Sequence, residues 1–215
     1  MNFFDYVSKN WERIGFLLIQ HIEVVLISVG IATVISLLIA VLTERLPRMR
    51  TLFMSTTSTF LTIPSFALFA LMIPVFGLGV MPTIVALSIY AIYPILRNAV
   101  TGLESVPAGL LDAAQGMGMK PISRLARVKL PLAWPIILNG IRISTIMIVA
   151  TAAIGAAVRG PGLGELIFTG LSRIGGANAL NEALSGVVGV ALVAGILDLI
   201  FIFIGRITTR RGLNV

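Results

Sequence analysis

The sequence predicts an all-α membrane protein with about five transmembrane helices, an N-terminal interfacial helix and a short cytoplasmic helix between spans three and four. Three observations carry this. Hydrophobic residues make up 57% of the 215 and charged residues only 12%, about half the roughly 25% of a soluble domain. Mean hydropathy is +1.02, so the chain cannot cover itself with polar surface in water. The apolar residues also fall into runs near the ~20 residues that a membrane helix needs.

In chain order, Phe3 to Gln20 is amphipathic and reads as a helix lying in the interface. Mixed charges at Asp5, Lys9, Glu12 and Arg13 do not fit a cleaved leader. Span one runs from Ile22 to Leu42 and stops at Glu44-Arg45-Leu46-Pro47. Span two runs from Leu52 to Phe76, interrupted by Pro64 and Pro74, and Gly77-Leu78-Gly79 makes a tight turn. Span three, Val80 to Leu96, stops at Arg97-Asn98, so Arg97 marks its inner end. Span four runs from Leu132 to Ala157, and span five from Leu184 to Ile204 before Arg206. The domain reading is 1–21 interfacial helix, 22–205 membrane domain with an inner loop at 104–131, and 206–215 cytoplasmic tail. Five spans with one long inner loop do not supply the matched halves of an inverted-repeat carrier.

Loop charge sets the orientation. With the N-terminus outside, the inner segments hold Arg45, Arg48, Arg50, Lys120, Arg124, Arg127, Lys129, Arg206, Arg210 and Arg211, against Lys9, Arg13, Arg159 and Arg173 outside. That asymmetry follows the positive-inside rule and places the C-terminus in the cytoplasm. The same rule accounts for the net charge of +7 without nucleic acid. Small residues at Ser28, Ala32, Ser36 and Ala40, at Ala152-Ala156 and Ala153-Ala157, and at Ala191-Gly195 mark expected close approaches between helices.

The inner loop carries the most information. Pro107 suits a helix start. Leu110, Ala114 and Met117 share a helical face, and Gly116 and Gly118 favour a turn before Pro121. A second short helix, Ile122 to Lys129, leads into Leu130-Pro131. Two readings stand: a knob that docks into a groove on a soluble partner, or an ordinary loop resting on lipid headgroups.

Asp112-Ala113-Ala114, then Gly118, then Leu130-Pro131 resembles the EAA loop of type I ABC importer permeases. Asp112 stands where that family usually has Glu. The resemblance implies that this loop is a coupling helix engaging an ATPase subunit, with Asp112, Ala113, Ala114, Gly116, Gly118, Leu130 and Pro131 as the coupling residues. Thr62 to Phe69, Gly77-Leu78-Gly79, Tyr93-Pro94-Ile95-Leu96-Arg97-Asn98 and Gly162-Leu163-Gly164 resemble the osmoprotectant branch, whose members import glycine betaine, carnitine or choline. In that branch the outer loop is commonly Gly-Ala-Gly-Gly-Leu-Gly; here it is Arg159-Gly160-Pro161-Gly162-Leu163-Gly164.

The resemblance implies ABC ATPase subunits, a substrate-binding protein, and a second permease copy or homologous permease as partners, in a multi-pass inner-membrane protein bathed by lipid. No phosphate loop ending in Gly-Lys-Ser/Thr is present, so ATP hydrolysis is expected in another chain and no catalytic residue here. No cofactor or metal is expected, since His21 is the only histidine and cysteine is absent. His21, beside Glu23, reads as an interfacial residue at a span entrance.

Candidate passage residues are Ser55, Thr59, Thr62 and Ser65, with Phe66, Phe69, Tyr90 and Tyr93. The hydroxyls form a polar passage wall, or bond to the preceding turn's carbonyls and ease a kink; the second is preferred. The aromatics face a quaternary ammonium by cation–π attraction, about 0.5–2 kcal/mol each, or serve as packing and interface anchors. Arg142 and Asp198 lie within spans and are able to pair. The alternatives to an osmoprotectant importer are a methionine-type importer permease and, in a different class, an ion channel or ion-coupled carrier.

Overall fold

The computed structural model describes residues 2–208, and they are helical with no strand among them. Arg210, Arg211 and the tail beyond 208 lie outside the described residues. Helices α1 (Phe3–Lys9) and α2 (Trp11–Leu42) are divided only at Asn10. At ~1.5 Å per residue the 32 residues of α2 outreach a ~30 Å hydrocarbon layer. Most of the amphipathic N-terminal segment is therefore the protruding start of the first span. The boundary expected at residue 21 falls inside one continuous helix, and only α1 stands apart.

The second span is a bent pair. α3 (Pro47–Phe60) and α4 (Ser65–Phe76) meet at 99°. Pro64 is the cause: it has no N–H to continue the helical ladder and pushes Ile63 out of helical backbone. Tyr90 on α5 (Val80–Glu104) donates its hydroxyl to the freed Ile63 carbonyl at 2.7 Å. Gly77 (φ 74°) and Gly79 (φ 111°) then take left-handed backbone in the turn to α5.

α5 runs past the expected stop at Arg97-Asn98 and ends only at Glu104. Asn98 returns its amide to the Pro94 carbonyl at 2.8 Å and Arg97 is exposed. A charge ends a hydrophobic run without ending the helix. After α6 (Ala108–Gly116) and α7 (Pro121–Arg124), a π-helical turn over Leu125–Lys129 leads without a break into α8 (Leu130–Ile154). A helix the hydropathy pattern did not disclose, α9 (Gly164–Ser172), precedes α10 (Ala179–Thr208). Among the described residues four helices are long and apolar enough to cross a membrane, five with the bent pair taken as one.

α5 is the centre, packed mainly on α2 and α8. Ser28, Ala32, Ser36 and Ala40 are all buried, as their spacing predicts. Ser36 donates to the Ile92 carbonyl at 3.0 Å and Ser144 of α8 to the Ala91 carbonyl at 2.7 Å, on either side of α5 near Pro94. At Gly140 a Cβ would lie 2.5 Å from the Asn98 Cβ, so α8 approaches α5 more closely there than alanine permits. The stripe expected on the last span is different. Ala191 and Gly195 are exposed, and α10 packs instead through Gly186, Gly189, Val193 and Leu197. Leu163 and Ile167, from the α9 region that the sequence did not reveal, occupy that face.

Candidate functional site

Ion pairs and hydrogen bonds define two ends of the bundle. At one end, Arg13 near the start of α2 reaches Glu165 of α9 at 2.9 Å and Glu182 of α10 at 2.8 Å. Arg173 lies 3.7 Å from Glu182, whose side chain is only 6% exposed. Tyr6 packs beside this cluster, and burial, followed by the Glu182 carboxylate, raises its phenol above its ordinary pKa. The Gly79 N–H donates to the Val158 carbonyl at 2.8 Å, joining the glycine turn to the 155–164 loop at the same end.

At the other end lies the elbow between α5 and α8. α6 is short and stands clear of the bundle: Ala114 is its one buried residue, whereas Asp112, Ala113 and Gly116 are exposed. Of the face expected from Leu110, Ala114 and Met117, only Ala114 packs inward; Leu110 is 47% and Met117 74% exposed. Gly118 (φ 79°) reverses the chain into α7. Arg124 of α7 donates to the Gln115 amide oxygen of α6 at 2.6 Å, joining the two arms of the elbow. Leu130 is half-buried and Pro131 exposed in the first turn of α8. Arg45, Arg48, Lys120, Arg127 and Arg206 come from segments at this same end.

The proposed passage residues divide. Ser55, Thr59 and Thr62 are exposed on α3 and the break that follows it, and Ser65 is half-buried. Thr59 donates to the Ser55 carbonyl at 2.9 Å and Thr62 to the Thr59 carbonyl at 2.7 Å, so both hydroxyls do serve the preceding turn. They nevertheless leave an open polar face on a helix far less apolar than its neighbours. Phe66, in the first turn of α4, is 60% exposed and Tyr93 is half-buried. Phe69 is fully buried and Tyr90 is 5% exposed. Those two rings pack inside the single chain, around the break at Pro64, rather than on the open face.

One placement escaped the sequence reading, and one pairing that the sequence left open is formed. His21 is not interfacial: it is fully buried, with Nε2 3.0 Å from the Val149 carbonyl. Gly162 passes so close that a Cβ there would meet the imidazole at 2.8 Å. Arg142 and Asp198 form a two-pronged pair, 2.6 Å from Nε to Oδ1 and 2.9 Å from Nη2 to Oδ2. Among the described residues no group of His, Cys, Asp and Glu is arranged to hold a metal.

The family described as "Binding-protein-dependent transport system inner membrane component" matches residues 25–212. The chain is 34% identical to the osmoprotectant import permease protein OsmW of Salmonella typhimurium over 100% of both chains. It is 32% identical to the choline transport system permease protein OpuBB of Bacillus subtilis, over 98% of this chain and 95% of that one. A glycine betaine/carnitine/choline transport system permease protein, OpuCB of Bacillus subtilis, is 34% identical over 91% of this chain and 88% of its own. Among solved structures, a chain of the MetNI methionine ABC transporter in an inward-facing conformation superposes with a TM-score of 0.80 at 26% identity, covering 92% of this chain and 96% of that one.

Proposed function

The chain belongs to the binding-protein-dependent transport system inner membrane components, the membrane-spanning permease subunits of ABC importers, and from that premise we propose that it carries a quaternary-ammonium osmoprotectant such as glycine betaine, carnitine or choline into the cell. The observation that carries the coupling part of the reading is the elbow. A nine-residue helix, α6, stands clear of the bundle at its basic end with Asp112 and Met117 outward. Such a knob suits a groove on a soluble motor. The similarity to osmoprotectant and choline permeases along nearly the whole chain supports the substrate class.

In this reading the N-terminus lies outside and the C-terminus in the cytoplasm, which puts the elbow and its arginines on the cytoplasmic side. ATP binding closes two separate ATPase subunits, whose grooves hold the segment from Asp112 to Gly118. Their closure moves the elbow, and the spans pass between inward-open and outward-open states. A substrate-binding protein delivers ligand to the outward-open state. A second copy of this chain, or a homologous permease, supplies the other half of the passage, opposite Ser55, Thr59, Thr62, Ser65 and Phe66. Leu130 and Pro131 turn the elbow's motion into α8. Tyr93, half-buried on α5, is a further candidate for the passage.

The superposition on a methionine transporter chain favours a second reading, an amino-acid importer on the same frame. The test is co-purification with the ATPase and binding protein, reconstitution in liposomes, and uptake challenged by glycine betaine, choline and methionine. Ligand-stimulated ATP hydrolysis with competition by the quaternary amines is expected. Competition by methionine alone establishes the second reading, and ion conductance by this chain alone removes both.

A further inference from the structure

The elbow is fastened to the bundle at both of its roots, and both fastenings reach the same neighbour. At the leading root Glu104, the last residue of α5, lies 2.7 Å from Arg50 in the first turn of α3. At the trailing root Lys129, the last residue before α8, is paired with Glu44 in the turn that follows α2. Both partners thus come from one short stretch, Glu44 to Arg50, which closes α2 and opens α3. The four charged side chains line one pocket of about 160 Å³, which Ala108 and Leu111 of α6 also line.

Exposed ion pairs add little to stability because solvent screens them and ordering two long side chains is costly. Glu44 and Lys129 are 23% and 17% exposed, so that pair is largely shielded from solvent, whereas the second pair joins Arg50, 24% exposed, to Glu104, 53% exposed. α6 itself packs on α7 and the π-helical turn, and Ala114 is its one buried residue. A displacement of the elbow therefore enters the bundle at its roots. The segment the roots hold is the start of α3, the helix that carries the open hydroxyl face.

We infer that the Glu44–Lys129 and Arg50–Glu104 pairs are two struts that carry the elbow's displacement to the α2–α3 connection, so that α3 moves with the elbow. This rests on the ATP-driven permease reading. The four are positioning residues: they touch neither ligand nor nucleotide.

The test measures uptake and ligand-stimulated ATP hydrolysis in the same liposomes, with the complete complex of permease, ATPase and binding protein and glycine betaine as probe. Lys129→Glu and Glu104→Arg are each expected to raise the ATP consumed per ligand imported several-fold. The charge-swapped doubles E44K/K129E and R50E/E104R are expected to return that ratio close to its starting value. An unchanged ratio, uptake and hydrolysis falling in equal proportion, or swaps that restore nothing each overturn the struts.

Should the single reversals fail to assemble, the absence of cysteine allows Glu44→Cys with Lys129→Cys to be bridged by a short bifunctional thiol reagent. Struts that persist through the cycle leave uptake intact after bridging; arrest of uptake overturns them. Absence of stimulated hydrolysis in the unaltered complex removes the permease reading and this inference together. A working complex with indifferent variants removes the inference alone.

Discussion

Single residues decide which of the aromatic and polar side chains serve structure and which face the open side. Tyr90 donates to the Ile63 carbonyl, which the break at Pro64 leaves without a helical donor. Hydrocarbon offers no water to replace that bond. Tyr90→Phe keeps the ring and loses the bond, and is expected to cost about 1 kcal/mol of stability, read by thermal unfolding in detergent, with the half-saturation concentration for uptake unchanged. Phe66 is the contrasting case. It is 60% exposed in the first turn of α4, just past the break, and if it lines the proposed passage Phe66→Ala is expected to raise that concentration by about 2- to 30-fold, the factor that ~0.5–2 kcal/mol of cation–π attraction represents. Arg159 holds left-handed backbone at φ 59° without being glycine, at the position where the osmoprotectant branch commonly has glycine. Arg159→Gly is expected to stabilise the chain by about 0.5–1 kcal/mol. None of these placements except the glycine pattern was legible in the sequence. His21 shows why: its burial is set by Val149 and Gly162, more than a hundred residues away, and no local spacing encodes that.

At the scale of helices, the sequence disclosed what depends on hydropathy and missed what depends on neighbours. The apolar runs located every span, and Pro64 located the break. Helix ends were displaced because a charge halts a hydrophobic run while the backbone ladder continues into water, as α5 does from Arg97 to Glu104. α9 escaped because its nine residues are shorter than any membrane-crossing pattern. The small-residue stripe of α2 was read correctly because α5 lies against it. The one on α10 was not, because α9 and its loop cover the other face. The α5–α8 contact offers a direct test of close approach. With the Asn98 Cβ only 2.5 Å from where an alanine Cβ would sit, Gly140→Ala is expected to cost about 1–3 kcal/mol by overpacking, measured as a lowered unfolding temperature in detergent. The Arg142–Asp198 pair ties α8 to α10. Removing either charge alone leaves the other unmatched inside a span, so R142M/D198L together is expected to unfold at a higher temperature than either single variant.

For the whole molecule, the proposed function puts a motor at one end of the bundle and ligand delivery at the other. The shape of the elbow was legible because its turns are written in local signals: Pro107 before α6, Gly118 at the reversal and Leu130-Pro131 at the start of α8. The hydroxyl face proposed as the passage wall was only half legible, since hydroxyl spacing identifies a stripe but not what covers it. Asp112→Lys is expected to lower ligand-stimulated ATP hydrolysis several-fold while the chain inserts normally, measured in liposomes with the ATPase and binding protein present. Everything else follows from which side of the membrane the elbow occupies. The chain contains no cysteine, so one can be introduced at Met117, 74% exposed at the elbow, or at Ile174, 78% exposed at the opposite end. A thiol reagent that does not cross membranes, applied to intact cells, is expected to label Ile174→Cys at once and Met117→Cys only after the membrane is breached; labelling of Met117→Cys from outside, with Ile174→Cys protected, would contradict the account.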